Sequence, residues 1–213
     1  MDKMVLIGGG GHAASVLDTL LSDNTYEVVG ITDPGVSVDI TLLGIPFLGS
    51  DKILPELFSS GVKTAIITVG SIGNTDLRIK LYKMVKKIGF SLPVIKDPTA
   101  IVGRECQISE GTFIGKGAVV NALCNIGNMV IINSRALIEH ECKIGAFCHI
   151  SSGSTIGGNV QIGENTHIGI GSTVIQGIKI GHHSMIGAGS IVVKDIAEHK
   201  KAYGNPCIEV EKI

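Results

Sequence analysis

Two histidines in the second half of the chain have surroundings suited to acid–base chemistry. His140 stands between Glu139 and Glu141. A neighbouring carboxylate orients an imidazole and stabilises its protonated form, which is what a general base requires. His149 follows nine residues later. The alternative interpretation of His140 is a solvated surface histidine without a chemical role.

Sixteen aliphatic residues recur at every sixth position around these histidines. They are Val102, Ile108, Ile114, Val120, Ile126, Ile132, Ile138, Ile144, Ile150, Ile156, Ile162, Ile168, Val174, Ile180, Ile186 and Val192. A period of six fits neither an amphipathic helix nor an alternating strand, and it indicates a solenoid whose repeats bury their faces by stacking. Three sides per coil predict a triangular prism of roughly five coils, about 24 Å tall at ~4.8 Å per coil.

Two further positions of the six-residue repeat have a restricted composition. The position after the aliphatic residue is often glycine, which we expect to turn a corner with positive φ. These glycines are Gly103, Gly115, Gly127, Gly145, Gly157, Gly163, Gly169, Gly181 and Gly187. Three positions further on, the residue is mostly small, and Cys106, Cys124 and Cys142 occupy this position eighteen residues apart. We expect a ladder of buried thiols there, while a disulfide or metal framework is the alternative, without a CxxC pair to support it.

The repeat also constrains how the two histidines can cooperate. His140 and His149 are nine residues apart, which is half a coil, so they belong to different sides of the prism. One chain cannot easily bring them together, but two chains packed side by side can. The spacing therefore predicts a site between subunits, and a cyclic trimer is the natural closure for a three-sided prism.

The first half of the chain has the pattern of β-α-β units with glycine loops. Gly8, Gly10 and Ala13 fit G-x-G-x-x-A between a strand and a helix, and Asp33 follows twenty residues after Ala13. A helix N-terminus behind such a loop favours a bound phosphate. Three or four strands are too few for a full dinucleotide domain, so a mononucleotide or nucleotide sugar fits better. A tight turn without a ligand remains the alternative.

These patterns divide the chain and limit its partners. We expect a Rossmann-like α/β domain over residues 1–90, a linker over 91–100, a β-helix over 101–196 and a tail over 197–213. The 213 residues carry a net charge of −1, so we expect neither a nucleic-acid nor a membrane-surface partner. No apolar run approaches membrane-spanning length. The start does not resemble a signal peptide, so we expect a cytoplasmic protein.

Several of these segments together resemble one family. They are the Gly8–His12 loop, Asn133-Ser134, the Ile138–Cys142 segment, His149 and Gly204-Asn205-Pro206. They are similar to the PglD/NeuD family of hexapeptide-repeat sugar acetyltransferases, typified by sialic acid O-acetyltransferase and the bacterial UDP-4-amino-sugar acetyltransferases. The resemblance covers nearly the whole chain. It implies a left-handed parallel β-helix, acetyl-CoA as the donor without a metal, and trimers that bind acetyl-CoA between adjacent β-helices.

The resemblance also implies roles for individual residues. His140 is the general base, and Glu141 raises its basicity. The expected donor-binding residues are His149, Asn133, Gly158, Ile170 and Ala188. The expected substrate-binding residues are Gly10, Gly11 and His12 at the phosphates and sugar, with Asp33 and Gly70 at the nucleotide end. One departure is the segment 71–74, which looks longer than the corresponding loop in some relatives.

The predicted activity is transfer of acetyl from acetyl-CoA to the 4-amino group of a UDP-linked amino-dideoxy sugar, by direct attack, in bacterial glycan biosynthesis. A sialic acid O-acetyltransferase is the alternative within the same class. A non-catalytic nucleotide-sugar-binding protein is the alternative from another class. A γ-type carbonic anhydrase shares the β-helix, but it needs two histidines five residues apart, and no pair in this sequence has that spacing.

Overall fold

The computed structural model describes residues 1–212, with side chains as far as Val210, and divides the chain into two compact units. The first unit comprises residues 1–70 and 76–98, and the second comprises residues 71–75 and the chain from Thr99 onward. Residues 91–98, part of the predicted linker, lie with the first unit because Ser91 pairs with Thr64 and exchanges backbone hydrogen bonds with Lys63 and Ala65. Residues 71–75 lie with the β-helix, which the sequence-based division of the chain did not foresee.

The first unit is built on a three-stranded parallel sheet in the order β2-β1-β5. Its elements are β1 (Asp2–Ile7), α1 (Gly11–Asp23), β2 (Tyr26–Thr32), β3 (Thr41–Leu42), β4 (Ile45–Pro46), a 3₁₀ turn (Asp51–Ile53), α2 (Leu54–Ser59), β5 (Thr64–Ile67), α3 (Asp76–Ile88) and β6 (Ile95–Lys96). The central strand is apolar and fully buried from Met4 to Ile7, as expected when a parallel strand is covered on both faces. The carboxyl ends of all three strands lie at one edge, where ligands bind in open α/β sheets.

The second unit is a parallel β-helix whose sixteen two-residue strands are numbered β7 to β22. They are Ile101–Val102, Gln107–Ile108, Phe113–Ile114, Val119–Val120, Asn125–Ile126, Ile131–Ile132, Leu137–Ile138, Lys143–Ile144, His149–Ile150, Thr155–Ile156, Gln161–Ile162, His167–Ile168, Thr173–Val174, Lys179–Ile180, Met185–Ile186 and Ile191–Val192. Each strand pairs in register with the strand eighteen residues away. The predicted fold class, an α/β domain followed by a β-helix, is confirmed.

Three faces result from this pairing. The first face holds β7, β10, β13, β16, β19 and β22, and the second holds β8, β11, β14, β17 and β20. The third face holds β9, β12, β15, β18 and β21, and it continues into β23 (Lys200–Gly204) and β24 (Cys207–Lys212). The second residue of nearly every strand points inward and is buried, as the six-residue spacing predicts; Val102 and Ile108, in the first coil, are only partly buried.

The corners of the β-helix are not where the sequence predicts them. Positive φ recurs every six residues from Glu105 to Gly189, three positions after each aliphatic residue, and most of these residues are not glycine. The prediction that the glycine directly after the aliphatic residue turns the corner is therefore wrong. These glycines instead allow close stacking: a Cβ on Gly145 would lie 2.4 Å from the backbone nitrogen of Glu164 in the next coil.

The small residues of the repeat have a second function besides filling the narrow interior. Each of eight donates a side-chain hydrogen bond to the carbonyl oxygen fifteen residues later. They are Cys106, Thr112, Cys124, Cys142, Cys148, Ser154, Thr166 and Ser172. The five cysteines are all free thiols, so the predicted ladder of unbridged cysteines is what the structure has.

Of the helices in the described chain, none combines the length and the apolar character that a membrane crossing requires.

Candidate active site

An exposed histidine–glutamate pair lies at the corner that follows β13. The Nδ1 atom of His140 is 2.9 Å from Oε2 of Glu141, and their side chains are 59% and 57% exposed. Glu141 has φ of 60°, the left-handed conformation that every corner of the β-helix adopts. Since a carboxylate only accepts hydrogen bonds, Nδ1 carries the proton. In the neutral ring Nε2 therefore has the lone pair and can accept a proton.

Gly158 lies one coil beyond His140, directly against its imidazole. A Cβ on Gly158 would be 2.7 Å from Nε2 and 2.8 Å from Cε1 of His140. The next residue, Asn159, donates its backbone N–H to the carbonyl oxygen of His140 at 2.8 Å. The position thus has no room for a side chain while the ring keeps this orientation. Gly158 lies beside the expected base, away from the other expected donor-binding residues.

The other four expected donor-binding residues line one groove on the third face. Asn133, His149, Ile170 and Ala188 border a cavity of about 410 Å³ together with Met185. Its lining is mostly apolar, and the Asn133 carboxamide, serine hydroxyls and imidazoles are its few polar groups. Such a groove suits an extended chain with both methylene and amide groups. The structure therefore brings four of the five residues together, although their sequence positions span more than three coils.

A short segment, Ser71–Thr75, lies across this groove and is called the strap. The carbonyl oxygen of Ser71 accepts a hydrogen bond from Nδ1 of His149 at 2.8 Å. At the other end, the Thr75 hydroxyl donates to Oδ1 of Asn165 at 2.8 Å. These bonds attach the strap to the β-helix at both ends. The segment 71–74, which departs from the family in length, therefore lies at this groove.

Sequence reasoning missed one histidine of this groove, His167. It follows His149 by eighteen residues and pairs with it in register, with ring centroids 5.0 Å apart and planes at 85°. Its side chain is 7% exposed. Burial, reinforced by the neighbouring His149, lowers the pKa of His167 to about 4, so its imidazole is neutral near pH 7. The eighteen-residue spacing of the two histidines was the signal that could have identified the pair.

His167 also has few polar partners. Its Nδ1 is buried without a hydrogen-bond partner in the described chain, and its Nε2 lies 3.5 Å from the Ser151 hydroxyl. A buried polar atom without a partner costs about 1–3 kcal/mol. His167 therefore lines the groove as a buried imidazole that is neutral near pH 7.

The glycine loop of the first unit forms the second candidate site. Oδ2 of Asp33 accepts the Gly9 N–H at 2.7 Å, and Oδ1 accepts the Gly35 N–H at 2.8 Å. Asp33 thus holds the loops that follow β1 and β2. Helix α1 begins at Gly11 with Gly10 as its N-cap, without a side-chain cap and without an acidic residue in its first turn. Its exposed N–H groups and dipole favour an anion such as a diphosphate.

The remaining expected substrate-binding residues belong to the same edge of the sheet. A Cβ on Gly70 would lie 3.7 Å from Cβ of His12, so these two residues are neighbours. A Cβ on Gly10 or Gly11 would meet no atom within 4 Å, which leaves the helix start open. The structure therefore groups Gly10, Gly11, His12, Asp33 and Gly70 around the carboxyl ends of the strands.

A further histidine cluster lies at the last coil. His182, His183 and His199 have ring centroids 5.0–5.4 Å apart, and Nε2 of His182 is 2.5 Å from Oε2 of Glu198. Across the described residues, no group of three or more histidine, cysteine, aspartate or glutamate side chains is arranged to hold a metal ion.

Sequence families match both units. Residues 3–85 match the PglD N-terminal domain, and residues 123–158 and 159–194 match the bacterial transferase hexapeptide repeat. Among curated proteins none matches significantly. The hexapeptide match agrees with the predicted left-handed form of the β-helix.

Solved structures match the chain over its full length. A histidine-to-asparagine variant of perosamine N-acetyltransferase from Caulobacter crescentus, in complex with CoA and GDP-perosamine, is 33% identical with a TM-score of 0.93, covering 100% of this chain and 98% of that one. The acetyltransferase domain of PglB from Neisseria gonorrhoeae is 31% identical with a TM-score of 0.92, covering 99% of this chain and 100% of that one. The same domain has been solved with acetyl coenzyme A.

Proposed function

The chain belongs to the hexapeptide-repeat sugar acetyltransferases that carry a PglD-type N-terminal domain, and we propose that it acetylates the 4-amino group of a nucleotide-linked amino-dideoxy sugar. As a member it is an acetyl-CoA-dependent acyltransferase acting on a nucleotide-linked amino sugar. The observation that carries the proposal is the full-length similarity to an N-acetyltransferase in complex with CoA and GDP-perosamine. The exposed His140–Glu141 pair supplies the chemistry.

The proposed base is Nε2 of His140. As the acceptor nitrogen adds to the thioester carbonyl, its proton moves to Nε2, and Glu141 stabilises the resulting imidazolium through Nδ1–H. The carbon–sulfur bond then breaks, CoA leaves as the thiolate, and the imidazolium returns the proton to it. A backbone N–H at Gly158 is the proposed donor to the intermediate oxyanion. No cysteine is acylated in this scheme.

We propose that the donor's pantetheine arm occupies the groove of Asn133, His149, Ile170 and Ala188. Because His140 and His149 lie on different faces, the site is completed by a second copy of the chain, and the proposed assembly is a homotrimer.

The outward residues of two faces differ in composition, which supports this assembly. The outward residues of the first face are Ile101, Val119, Leu137, Thr155, Thr173 and Ile191. Those of the second face are Gln107, Asn125, Lys143, Gln161 and Lys179. Of these two faces, the first is therefore the better suited to subunit contact.

The acceptor's diphosphate is proposed to bind the open start of α1 at Gly10 and Gly11, with His12 toward the sugar. Asp33 and Gly70 flank the nucleotide end. We propose that the nucleotide is UDP, as the sequence resemblance implies. A GDP-linked amino sugar is the competing acceptor, because the similar perosamine N-acetyltransferase was solved in complex with GDP-perosamine. The two alternatives that the sequence left open, a sialic acid acceptor and non-catalytic binding of a nucleotide sugar, are distinguished by the same experiment.

The test is acetyl-CoA turnover, followed by release of free thiol. The acceptors are a UDP-4-amino-4,6-dideoxy sugar, GDP-perosamine, CMP-sialic acid and free sialic acid. We expect turnover with a nucleotide-linked amino sugar, and a fall of about 10²–10⁴ in His140→Ala, the range a general base contributes. His182→Ala is the matched control, because it removes an imidazole from another exposed His–Glu pair of the same β-helix.

Each outcome identifies one part of the proposal. Turnover with sialic acid alone would retain the base and replace the acceptor. Binding of amino sugar and acetyl-CoA without turnover in the wild type would favour the non-catalytic function. Equal losses in His140→Ala and His182→Ala would remove His140 from the role of base.

A further inference from the structure

The strap carries an exposed apolar side chain that the proposed mechanism does not use. Ile72 is 74% exposed. The strap is attached to the β-helix at both ends, because Ser71 accepts a hydrogen bond from His149 and Thr75 donates one to Asn165. Gly73, with φ of 72°, packs against Met185. The strap is thus held in place while it presents an isoleucine to solvent.

Ile72 lines the same groove as the expected donor-binding residues. Ile170, on the β-helix, borders this groove and is 59% exposed. Two large apolar side chains, one on the strap and one on the β-helix, can therefore contact the same bound molecule. Because hydrogen bonds hold the strap at both ends, contact with Ile72 costs less than ordering a free loop on binding would.

The chemistry of the groove favours one part of the donor. A pantetheine arm offers a gem-dimethyl group and short methylene segments between amides, which match apolar walls with a few polar groups such as Asn133 and Ser151. We propose that Ile72 is a donor-binding residue that packs on the pantetheine arm of acetyl-CoA together with Ile170. This inference rests on the proposed function, since it takes acetyl-CoA as the donor.

The experiment compares donor binding in Ile72→Ser, Ile72→Leu and a control, Ile40→Ser. Ile40 is another exposed isoleucine, 50% exposed, and it lies outside the groove. We expect Ile72→Ser to weaken CoA binding by calorimetry, and to raise KM for acetyl-CoA, by about tenfold, the effect of losing one well-packed apolar contact. We expect Ile72→Leu to restore most of the affinity, and Ile40→Ser to bind like the wild type.

A second acetyl donor shows which part of acetyl-CoA contacts Ile72. With S-acetylpantetheine, which lacks the nucleotide, Ile72→Ser should show the same loss in kcat/KM as with acetyl-CoA. A loss with acetyl-CoA alone would place Ile72 at the nucleotide end and overturn the assignment. Unchanged CoA affinity in Ile72→Ser would also overturn it.

Subunit contact is the competing explanation for an exposed isoleucine. Light scattering on Ile72→Ser tests this explanation, because dissociation of the assembly would show that Ile72 belongs to a subunit interface. The CoA titration needs no acceptor, so an incorrect acceptor assignment leaves the Ile72 result unaffected. A wild-type chain that does not bind CoA would refute both the donor and this inference.

Discussion

The His140 corner and the His149–His167 pair place the same side chain in opposite environments on one scaffold. His140 is 59% exposed and hydrogen-bonded to a carboxylate, whereas His167 is 7% exposed and packs against another imidazole. A carboxylate stabilises a protonated imidazole, while burial beside a second imidazole disfavours it. The β-helix therefore separates an exposed corner, where a histidine has a carboxylate partner, from a groove in which His167 is buried and neutral near pH 7.

This difference matches the two tasks that the proposed reaction sets. The base must alternate between neutral and protonated forms, which an exposed residue beside Glu141 can do. The pantetheine arm is uncharged, and if it occupies the groove as proposed, the neutral imidazole of His167 leaves no unpaired charge buried beside it. The difference also shows that residue type alone does not reveal a histidine's role, because the position within the repeat decides its exposure.

The largest expected effect concerns the buried member of the pair. An unfolded histidine titrates near 6.5, but folded His167 titrates near 4. Between these values the unfolded chain binds more protons, so the free energy of unfolding falls as the pH drops from 6.5 to 4 and then levels off. The full contribution is about 3 kcal/mol, from 1.36 kcal/mol per unit of pKa shift. Urea unfolding at a series of pH values measures it.

His167→Phe isolates this contribution, because phenylalanine keeps a buried ring but cannot bind a proton. We expect the difference in stability between wild type and variant to change over this pH range and to be constant above it. A difference that does not vary with pH would show that His167 titrates normally in the folded protein, and the contrast between the two regions would then fail.

The next effect tests the exposed corner through Gly158. A methyl group there would lie 2.7 Å from Nε2 of His140, so Gly158→Ala must displace the ring. A displacement of about 1 Å costs roughly 10²-fold in rate, and we expect a loss of that size in kcat. A double-mutant comparison locates the cause. In a His140→Ala background Gly158→Ala should cost little more, whereas an undiminished loss would mean that the added methyl group acts on the bound donor or shifts the backbone N–H, and does not act through His140.

Much of the fold followed from the spacing of a few residues. Aliphatic residues at intervals of six indicated the β-helix, because only stacked coils bury such a pattern. The corners were misplaced because glycine was associated with positive φ. In the β-helix, residues such as Glu141 and Phe147 adopt that conformation, and glycines such as Gly145 are needed for close stacking instead.

The candidate site was less accessible to sequence reasoning. Spacing placed His140 and His149 on different faces, but the pairing of His149 with His167 needed the eighteen-residue period applied to polar residues as well. No periodic pattern in the sequence predicted the position of the strap. Its position depends on contacts such as Ser71 with His149 and Thr75 with Asn165, which join residues 78 and 90 positions apart.

The smallest expected effect concerns the charge beside the base. Glu141→Gln keeps an acceptor for Nδ1–H of His140 but removes the negative charge that stabilises the imidazolium. Because the pair is exposed, water and salt screen its attraction, so we expect kcat to fall by about tenfold, or 1.36 kcal/mol, with KM for acetyl-CoA unchanged. Glu139→Gln is the matched control, since Oε2 of Glu139 accepts a hydrogen bond from Asn121 at 2.9 Å. Equal losses in the two variants would indicate a general effect of negative charge near His140, and the specific pairing with Glu141 would have to be abandoned.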